Sequence, residues 1–444
     1  MTAMTMEQRY ATLVAHLNQA MLVTETDRVP LLRRIMQALG HPDRELHVIH
    51  LAGTNGKGST GAMLAQILQA QGYRVGRFSS PAINDEREQL QVNSQWISRA
   101  AFVTTYQAIV PTLTELGLVP ADISIFEWYF LIGMVWFRQQ KVQWAVVEAG
   151  LGGQYDATNA LSAPQLTVFT KIALDHMQIL GPTITAIAQN KAQIIKPRTT
   201  VVTLADQNPA SKAVLQAQAT AQAVPLITAK HLVMASQQAT IQGTIVDATS
   251  DLFQWSQLKL GLIGAYQVQN LGLVLTAVAT LRQQAVPISD AAVRQGLQQV
   301  RLPGRLTVLQ AEPLMLADGA HNPDGMRALV TSVQQLLPAK RLIWVLGVLR
   351  DKAYAEMLTA ILPAAALVIT NTPANPKRAL PATELAKAAK AISPQAEVLV
   401  ATDIQAAISL AQQRETSDNA IIIAGSFYVM RELQQAGWLG LTND

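Results

Sequence analysis

Short, largely apolar runs separated by longer helix-like stretches constrain this chain more than any other feature. Segments 48–51, 145–147, 167–169, 314–316, 342–346, 367–369, 398–400 and 421–423 carry almost no polar side chain. Runs of this length suit strands buried on both faces of a sheet. Their alternation with helical patterns predicts an α/β fold built on largely parallel sheets. One segment breaks the rhythm: residues 200–260, rich in Thr, Gln and Val, read as an antiparallel insertion or a covering layer. A helical pattern over 290–300 runs into Leu302-Pro303-Gly304-Arg305, which marks a linker. The chain of 444 residues therefore divides into a large domain, 1–300, and a smaller α/β domain, 301–444.

Composition removes several function classes. Half of the residues are hydrophobic, which excludes a disordered chain. There is no cysteine, so disulfides, thiolate metal sites and thiol catalysis are excluded. The net charge of +4 is scattered rather than blocked, which argues against nucleic acid as a partner. The longest apolar runs, 130–137 and 271–281, fall short of the roughly 20 residues that a spanning helix needs. The N-terminus lacks the basic-then-apolar pattern of a signal peptide. A cytoplasmic protein without a membrane partner is expected.

The densest chemistry lies at residues 48–68, where an apolar strand enters Gly53-Thr54-Asn55-Gly56-Lys57-Gly58-Ser59 and a helix follows. Strand, glycine-rich loop and helix form a phosphate cradle: the backbone N–H groups turn toward an anion and the helix N-terminus adds its dipole. Lys57 would reach the β- and γ-phosphates. The usual loop has four residues between its glycines and a hydroxyl directly after the lysine. Here Gly53 and Gly56 are two apart and Gly58 follows Lys57. A glycine-rich turn with an incidental lysine is the rival reading; the flanking strand and helix favour a nucleotide.

Two further residues are informative from position. Glu148 ends a buried run just before a glycine-rich turn, at the sheet edge where ligands of open α/β folds gather. It is either a strand-end acid facing water or a magnesium ligand. Lys191 falls inside the helical stripe of Ile184, Ile187, Ala188, Ile194 and Ile195. A lysine on a buried face must pair, snorkel or lose its proton, and a neutral amine can take up CO₂ as a carbamate.

Taken together, the motifs resemble the folylpolyglutamate synthase/dihydrofolate synthase family of the Mur ligase superfamily. The resemblance rests on the loop Gly53–Ser59, on Ser79-Ser80-Pro81, on Phe126-Glu127, and on Glu148-Ala149-Gly150-Leu151-Gly152-Gly153. It continues through Asp156-Ala157-Thr158-Asn159, Leu174-Asp175-His176, Lys191-Ala192-Gln193-Ile194-Ile195-Lys196, Asp318-Gly319-Ala320-His321-Asn322-Pro323, Gly347-Val348-Leu349-Arg350-Asp351-Lys352 and Gly425-Ser426-Phe427. It implies a P-loop NTPase-like parallel-sheet domain followed by a Rossmann-like one. It implies an ATP- and Mg²⁺-dependent amide ligase that adds L-glutamate to the tail of a (tetrahydro)folate through an acyl phosphate. Dihydrofolate synthase, using dihydropteroate, is the alternative, and one chain can do both. A Mur-like ligase with another carboxylate acceptor and a non-catalytic nucleotide-binding protein are the remaining rivals.

The resemblance also implies roles. Residues Gly53 to Ser59, Asn270, Arg305, Asp318 and His321 would bind ATP, with Asn270 near the adenine, Asp318 on the ribose and His321 near the γ-phosphate. Ser80, Glu148, His176 and a carbamate on Lys191 would hold two Mg²⁺ ions. Lys57, Lys191 and His321 would carry the chemistry, in a monomer. The chain departs from the family at several points: Ala82 replaces a His or Phe, Asn84-Asp85-Glu86-Arg87 arrives early, and Gln154-Tyr155 stand where Arg-Leu is frequent. Tyr266 replaces a histidine, and Asn190 and Gln193 flank Lys191. These changes fall on the expected pterin loop more than on the ATP machinery, so folate extension is expected to outpace dihydrofolate synthesis.

Overall fold

A computed structural model describes residues 4–18, 27–414 and 416–440. The chain divides into two compact units: Met1–Val233 with Thr249–Gln254 and Asn270–Leu297, and Met234–Ala248 with Trp255–Gln269 and Gln298–Asp444. Among the described residues no helix is long and apolar enough to cross a membrane.

The first unit is built on an eight-stranded sheet. Its strands are β1 His47–Ala52, β2 Val75–Phe78, β3 Leu90–Val92, β4 Gln95–Trp96, β5 Trp144–Glu148, β6 Leu166–Phe169, β7 Thr200–Thr203 and β8 Leu226–Ile227. Their spatial order is β4-β3-β2-β5-β1-β6-β7-β8. From β2 to β8 every pairing is parallel, and β3 and β4 add an antiparallel edge. The central strand β1 lies between β5 (His47 beside Trp144) and β6 (Ile49 beside Leu166). All five residues of β5 are buried, as two-sided coverage requires.

Helix Ile125–Gln139 supplies much of that cover. Ser124 caps it in a reciprocal box with Glu127, and residues Glu127 to Phe137 are all buried. A helix apolar all round can only be a core helix. Close approach depends on glycine: a Cβ at Gly133 would lie 2.8 Å from Leu90, and one at Gly76 would lie 3.0 Å from the Phe137 ring. Phe78, Phe102, Trp128 and Phe130 join Phe137 in this core.

The expectation for residues 200–260 is corrected in part. Residues 200–227 form β7, helix Pro209–Ala221 and β8, which extend the main sheet in parallel. Only β9 Val233–Thr240, β10 Gly243–Thr249 and β11 Gln254–Leu260 form a separate three-stranded sheet. Their short connections exclude the crossover that parallel neighbours need. Within β7, Val201, Val202 and Thr203 are buried.

The second unit carries β12 Thr307–Gln310, β13 Met315–Ala317, β14 Arg341–Leu346, β15 Ala365–Thr370, β16 Val398–Val400 and β17 Asn419–Ala424. The order is β12-β13-β17-β14-β15-β16, parallel except where β12 runs against β13. Trp344, Leu346, Val368, Ile422 and Met326 centre its core. Both units are α/β as the alternating pattern predicts.

Candidate active site

The loop after β1 is a tight, laced turn. Gly56 has φ +93° and stands at the N-cap of helix Lys57–Ala70. At Gly53, with φ +153°, a Cβ would sit 1.9 Å from the Thr170 hydroxyl, so only glycine fits. The N–H groups of Thr54 and Asn55 donate to the Lys171 carbonyl (2.7 and 3.2 Å), and the Thr54 hydroxyl donates to the Ala173 carbonyl (2.9 Å). The segment after β6 thus holds the loop's shape. A Cβ on Gly56 would come within 2.5 Å of Asn270 Oδ1, so Asn270 lies against the loop.

Two lysines converge on this turn. Lys57 Nζ donates to the Gly53 carbonyl at 3.0 Å and Lys191 Nζ donates to the same oxygen at 2.9 Å. Lys191 is buried, on helix Ile184–Ala192. Burial, with Lys57 beside it, pushes its ammonium down to about 7, partly opposed by Asp156 and Asp175. Of the three outcomes open to a buried lysine, it therefore pairs with a carbonyl and loses proton affinity. The stripe expected through Ile195 is helical only to Ala192; Gln193 caps the helix, and Ile194 and Ile195 remain buried beyond it.

Glu148 is buried rather than facing water, with 1% exposure. A Cβ on Gly61 would lie 3.2 Å from its Oε1, so the glycine in helix Lys57–Ala70 leaves this carboxylate its space. Arg77, from β2, places Nη2 3.3 Å from the same oxygen. Magnesium takes one or two carboxylates and completes its shell from phosphates and water. A single buried acid beside a phosphate loop fits that demand, and no cluster of three acids or histidines occurs among the described residues. Ser80 lies just past the end of β2, whose Phe78 pairs with Val147 beside Glu148. His176 stands three residues after Ala173, with φ +50° and a side chain 38% exposed, and Asp175 Oδ2 is 3.9 Å from its Nε2.

The glycine turn after β5 is pinned by polar side chains. Asp156 Oδ2 accepts from Leu151 N (2.8 Å), and its Oδ1 accepts from the Thr158 N–H and hydroxyl. That hydroxyl also meets His50 Nε2 at 2.8 Å, and burial pushes the His50 pKa down to about 3, so the ring is neutral. Asn190 Oδ1 accepts from Gly153 N and Gln154 N (3.0 and 3.4 Å), and a Cβ on Gly152 would collide with it. Lys196 donates to the carbonyls of Asn159 and Leu161.

The pterin loop expected after Pro81 is also preformed. Ala82 and Ile83 are buried, and the Glu88 carboxylate accepts from the N–H groups of Ile83, Asn84 and Asp85 at 2.7 to 2.9 Å. Asp85 forms a forked pair with Arg87 and accepts from the Tyr10 hydroxyl.

In the second unit Arg305, Asp318 and His321 come together. Asp318 is buried; its Oδ2 accepts from the Tyr266 hydroxyl (2.6 Å) and Leu306 N (2.9 Å), and its Oδ1 accepts from Ala320 N. Burial raises its pKa against the Arg305 charge, and burial followed by Asp318 pushes the Tyr266 phenol well up. Arg305 stacks over the Phe427 ring at 4.7 Å, and His321 packs on that ring at 5.6 Å. A Cβ on Gly319 would lie 2.6 Å from Arg305 Nη1, so a side chain there would displace the guanidinium.

Sequence reasoning missed Arg77, and singled out Asn190 and Tyr266 only as departures. A lone charge between Gly76 and Phe78 in an apolar strand was a signal for Arg77. Neither Asn190 nor Tyr266 carries a local signal of its partner, because each bonds to residues 36 or more positions away.

Comparison with known proteins agrees with this geometry. Residues 134–278 match the Mur ligase middle domain and residues 304–427 the Mur ligase glutamate ligase domain. The chain is 31% identical to a folylpolyglutamate synthase of Lacticaseibacillus casei, over 96% of this chain and 98% of that protein. Its fold matches Mycobacterium tuberculosis folylpolyglutamate synthase complexed with ADP and AMPPCP, with a TM-score of 0.87, 28% identity and coverage of 98% and 99% of the two chains. It also matches the bifunctional folylpolyglutamate synthase/dihydrofolate synthase of Yersinia pestis complexed with AMPPNP and Mn ion, with a TM-score of 0.84, 26% identity and coverage of 98% and 99%. The chain belongs to the folylpolyglutamate synthase/dihydrofolate synthase family of ATP-dependent Mur-type ligases.

Proposed function

We propose that the chain phosphorylates the terminal carboxylate of a tetrahydrofolate with ATP and joins L-glutamate to it as an amide. The observation that supports this most is the meeting of Lys57 and Lys191 on the Gly53 carbonyl, beside a loop shaped for phosphate. Phosphoryl transfer is governed by charge neutralisation around the moving group, and Lys57 supplies a fixed cation there. Thr54, Asn55, Gly58 and Ser59 complete the loop, and Arg305, Asp318, His321 and Asn270 supply the remaining ATP contacts. Mg²⁺ would be held by Glu148 with Ser80, and a second ion by His176 with a carbamate on Lys191; bound, they neutralise phosphate charge. The depressed proton affinity of Lys191 supports that carbamate, since only the neutral amine reacts with CO₂. His321, kept in place by the Gly319 carbonyl at 2.9 Å from Nδ1, orients the γ-phosphate.

The functional boundary is taken at 300–305, with ATP binding by 1–300 and a C-terminal domain in 301–444. The enzyme works as a cytoplasmic monomer. The buried Ala82 gives the pterin no ring to stack on, and such a contact contributes about 0.5–1.5 kcal/mol. Dihydropteroate, which has no glutamate tail, therefore suffers more than a folate that carries one. Comparing kcat/KM for dihydropteroate and for tetrahydrofolate monoglutamate on one preparation tests this order. The folate value should be higher; a higher value for dihydropteroate makes dihydrofolate synthesis the main activity.

A further inference from the structure

Arg77 occupies a position that ordinarily takes an apolar residue. It lies within β2 between Gly76 and Phe78, both buried, and its side chain is 11% exposed. In register it pairs with Val146 of β5, and residues alternate faces along a strand, so Arg77 and Glu148 project on one face of the sheet. The guanidinium runs along that face to the C-terminal edge. There Nη2 donates to the Gly58 carbonyl at 3.2 Å and approaches Glu148 Oε1 at 3.3 Å. Its Nε is buried without a hydrogen-bond partner.

Burying a guanidinium with one donor unmet is costly, so something must compensate. Glu148 poses the matching difficulty, because a carboxylate with 1% exposure demands a positive neighbour. Each charge makes the other tolerable. The carboxylate that Arg77 approaches is also the one read as a metal ligand.

We propose that Arg77 is a tethered counter-cation for Glu148: it holds the carboxylate in place before the divalent metal arrives, and the metal must compete with it. This makes Arg77 a positioning residue that sets how much metal the site requires. Through the Gly58 carbonyl it also ties the carboxylate to the phosphate loop. The inference rests on the reading of Glu148 as a metal ligand.

The test is Mn²⁺ binding to the full chain with a non-hydrolysable ATP analogue, followed by electron paramagnetic resonance of the free ion. Arg77→Met keeps the length of the stem and removes the charge. It should tighten Mn²⁺ about tenfold, the scale on which one neighbouring charge moves a carboxylate's affinity for a proton. It should also lower the Tm of the metal-free protein, with metal restoring more of it than in the parent. Arg77→Lys, which keeps the charge, should stay near the parent in both. Should Arg77→Met fold poorly, Arg77→Gln carries the same expectation for Mn²⁺. An affinity that is unchanged or weaker in the Met and Gln variants overturns the inference. Glu148→Gln separates the two failures: if it leaves Mn²⁺ binding unchanged, the reading of Glu148 is wrong and the inference falls with it.

Discussion

Two charged clusters, one in each unit, handle charge in opposite ways. In the first unit Lys57 and Lys191 are brought onto one carbonyl oxygen, and Lys191 is driven toward neutrality by burial. In the second, the Asp318 carboxylate already has three donors, Tyr266, Leu306 and Ala320, and Arg305 lies on an aromatic face. The first cluster concentrates like charge, which an anionic ligand relieves; the second is balanced by its own neighbours. Removing a lysine of the first should therefore damage chemistry, and removing Tyr266 from the second should chiefly damage shape.

The largest test of that contrast is Lys57→Ala. Turnover should fall roughly 10²-fold or more, the scale on which one charge stabiliser acts. Near-parental turnover with an unchanged circular dichroism spectrum would remove the distinction between the two clusters. Lys191→Ala should likewise be inactive, with partial rescue by short carboxylic acids if they stand in for the proposed carbamate. Absence of any rescue across a panel of such acids counts against a carbamate.

A smaller effect follows from proton linkage at Lys191. Its native ammonium titrates at about 7 against 10.5 for an exposed lysine. Between those values the native amine is neutral and the unfolded one protonated, so unfolding takes up a proton and stability rises with pH. Below about 7 the charge stays buried in the native state at its full cost. In bicarbonate-free buffer, Lys191→Met should gain in Tm over the parent near pH 6, and the gain should shrink toward pH 9. A gain that is flat with pH would show that burial does not depress this lysine.

The smallest expected effect is in the balanced cluster. Tyr266→Phe removes one hydrogen bond to a buried carboxylate, which costs about 1.5–3 kcal/mol of stability. Turnover at saturating ATP should stay within a few-fold of the parent. A loss on the scale of Lys57→Ala would give Tyr266 a direct part in the chemistry.

Much of the site was legible because its signals are local. The apolar runs at β1, β5, β6, β14 and β17 read as strands since each lies wholly inside a sheet. The turn at Gly53 to Ser59 read as a phosphate loop from its flanks, and Lys191 stood out as one charge in an apolar stripe. What stayed hidden is set by pairing over distance. Arg77 meets Glu148 only because β2 is laid beside β5 in one register. Residues 200–227 do not read as part of the main sheet because β7 and β8 are short and join it only through parallel pairing with strands laid beside them, and the polar Thr203 and Gln207 bond to backbone groups around residue 170.

The position of β1 has a consequence for biosynthesis. The strand that carries the phosphate loop is completed when Ala52 leaves the ribosome, yet both of its neighbours lie far downstream, at Trp144–Glu148 and Leu166–Phe169. At 5–20 residues per second, the nascent chain waits on the order of 5–20 s with both edges of its central strand unpaired. The apolar helix Ile125–Gln139 emerges within that interval, before the strands that complete the sheet beneath it. The wait is longer for the loop itself, since Asn270 packs against Gly56 and Gly296 against the backbone of Ile67. Translation has passed well over half of the chain before the loop has all of its surroundings, so its final shape is set late in synthesis.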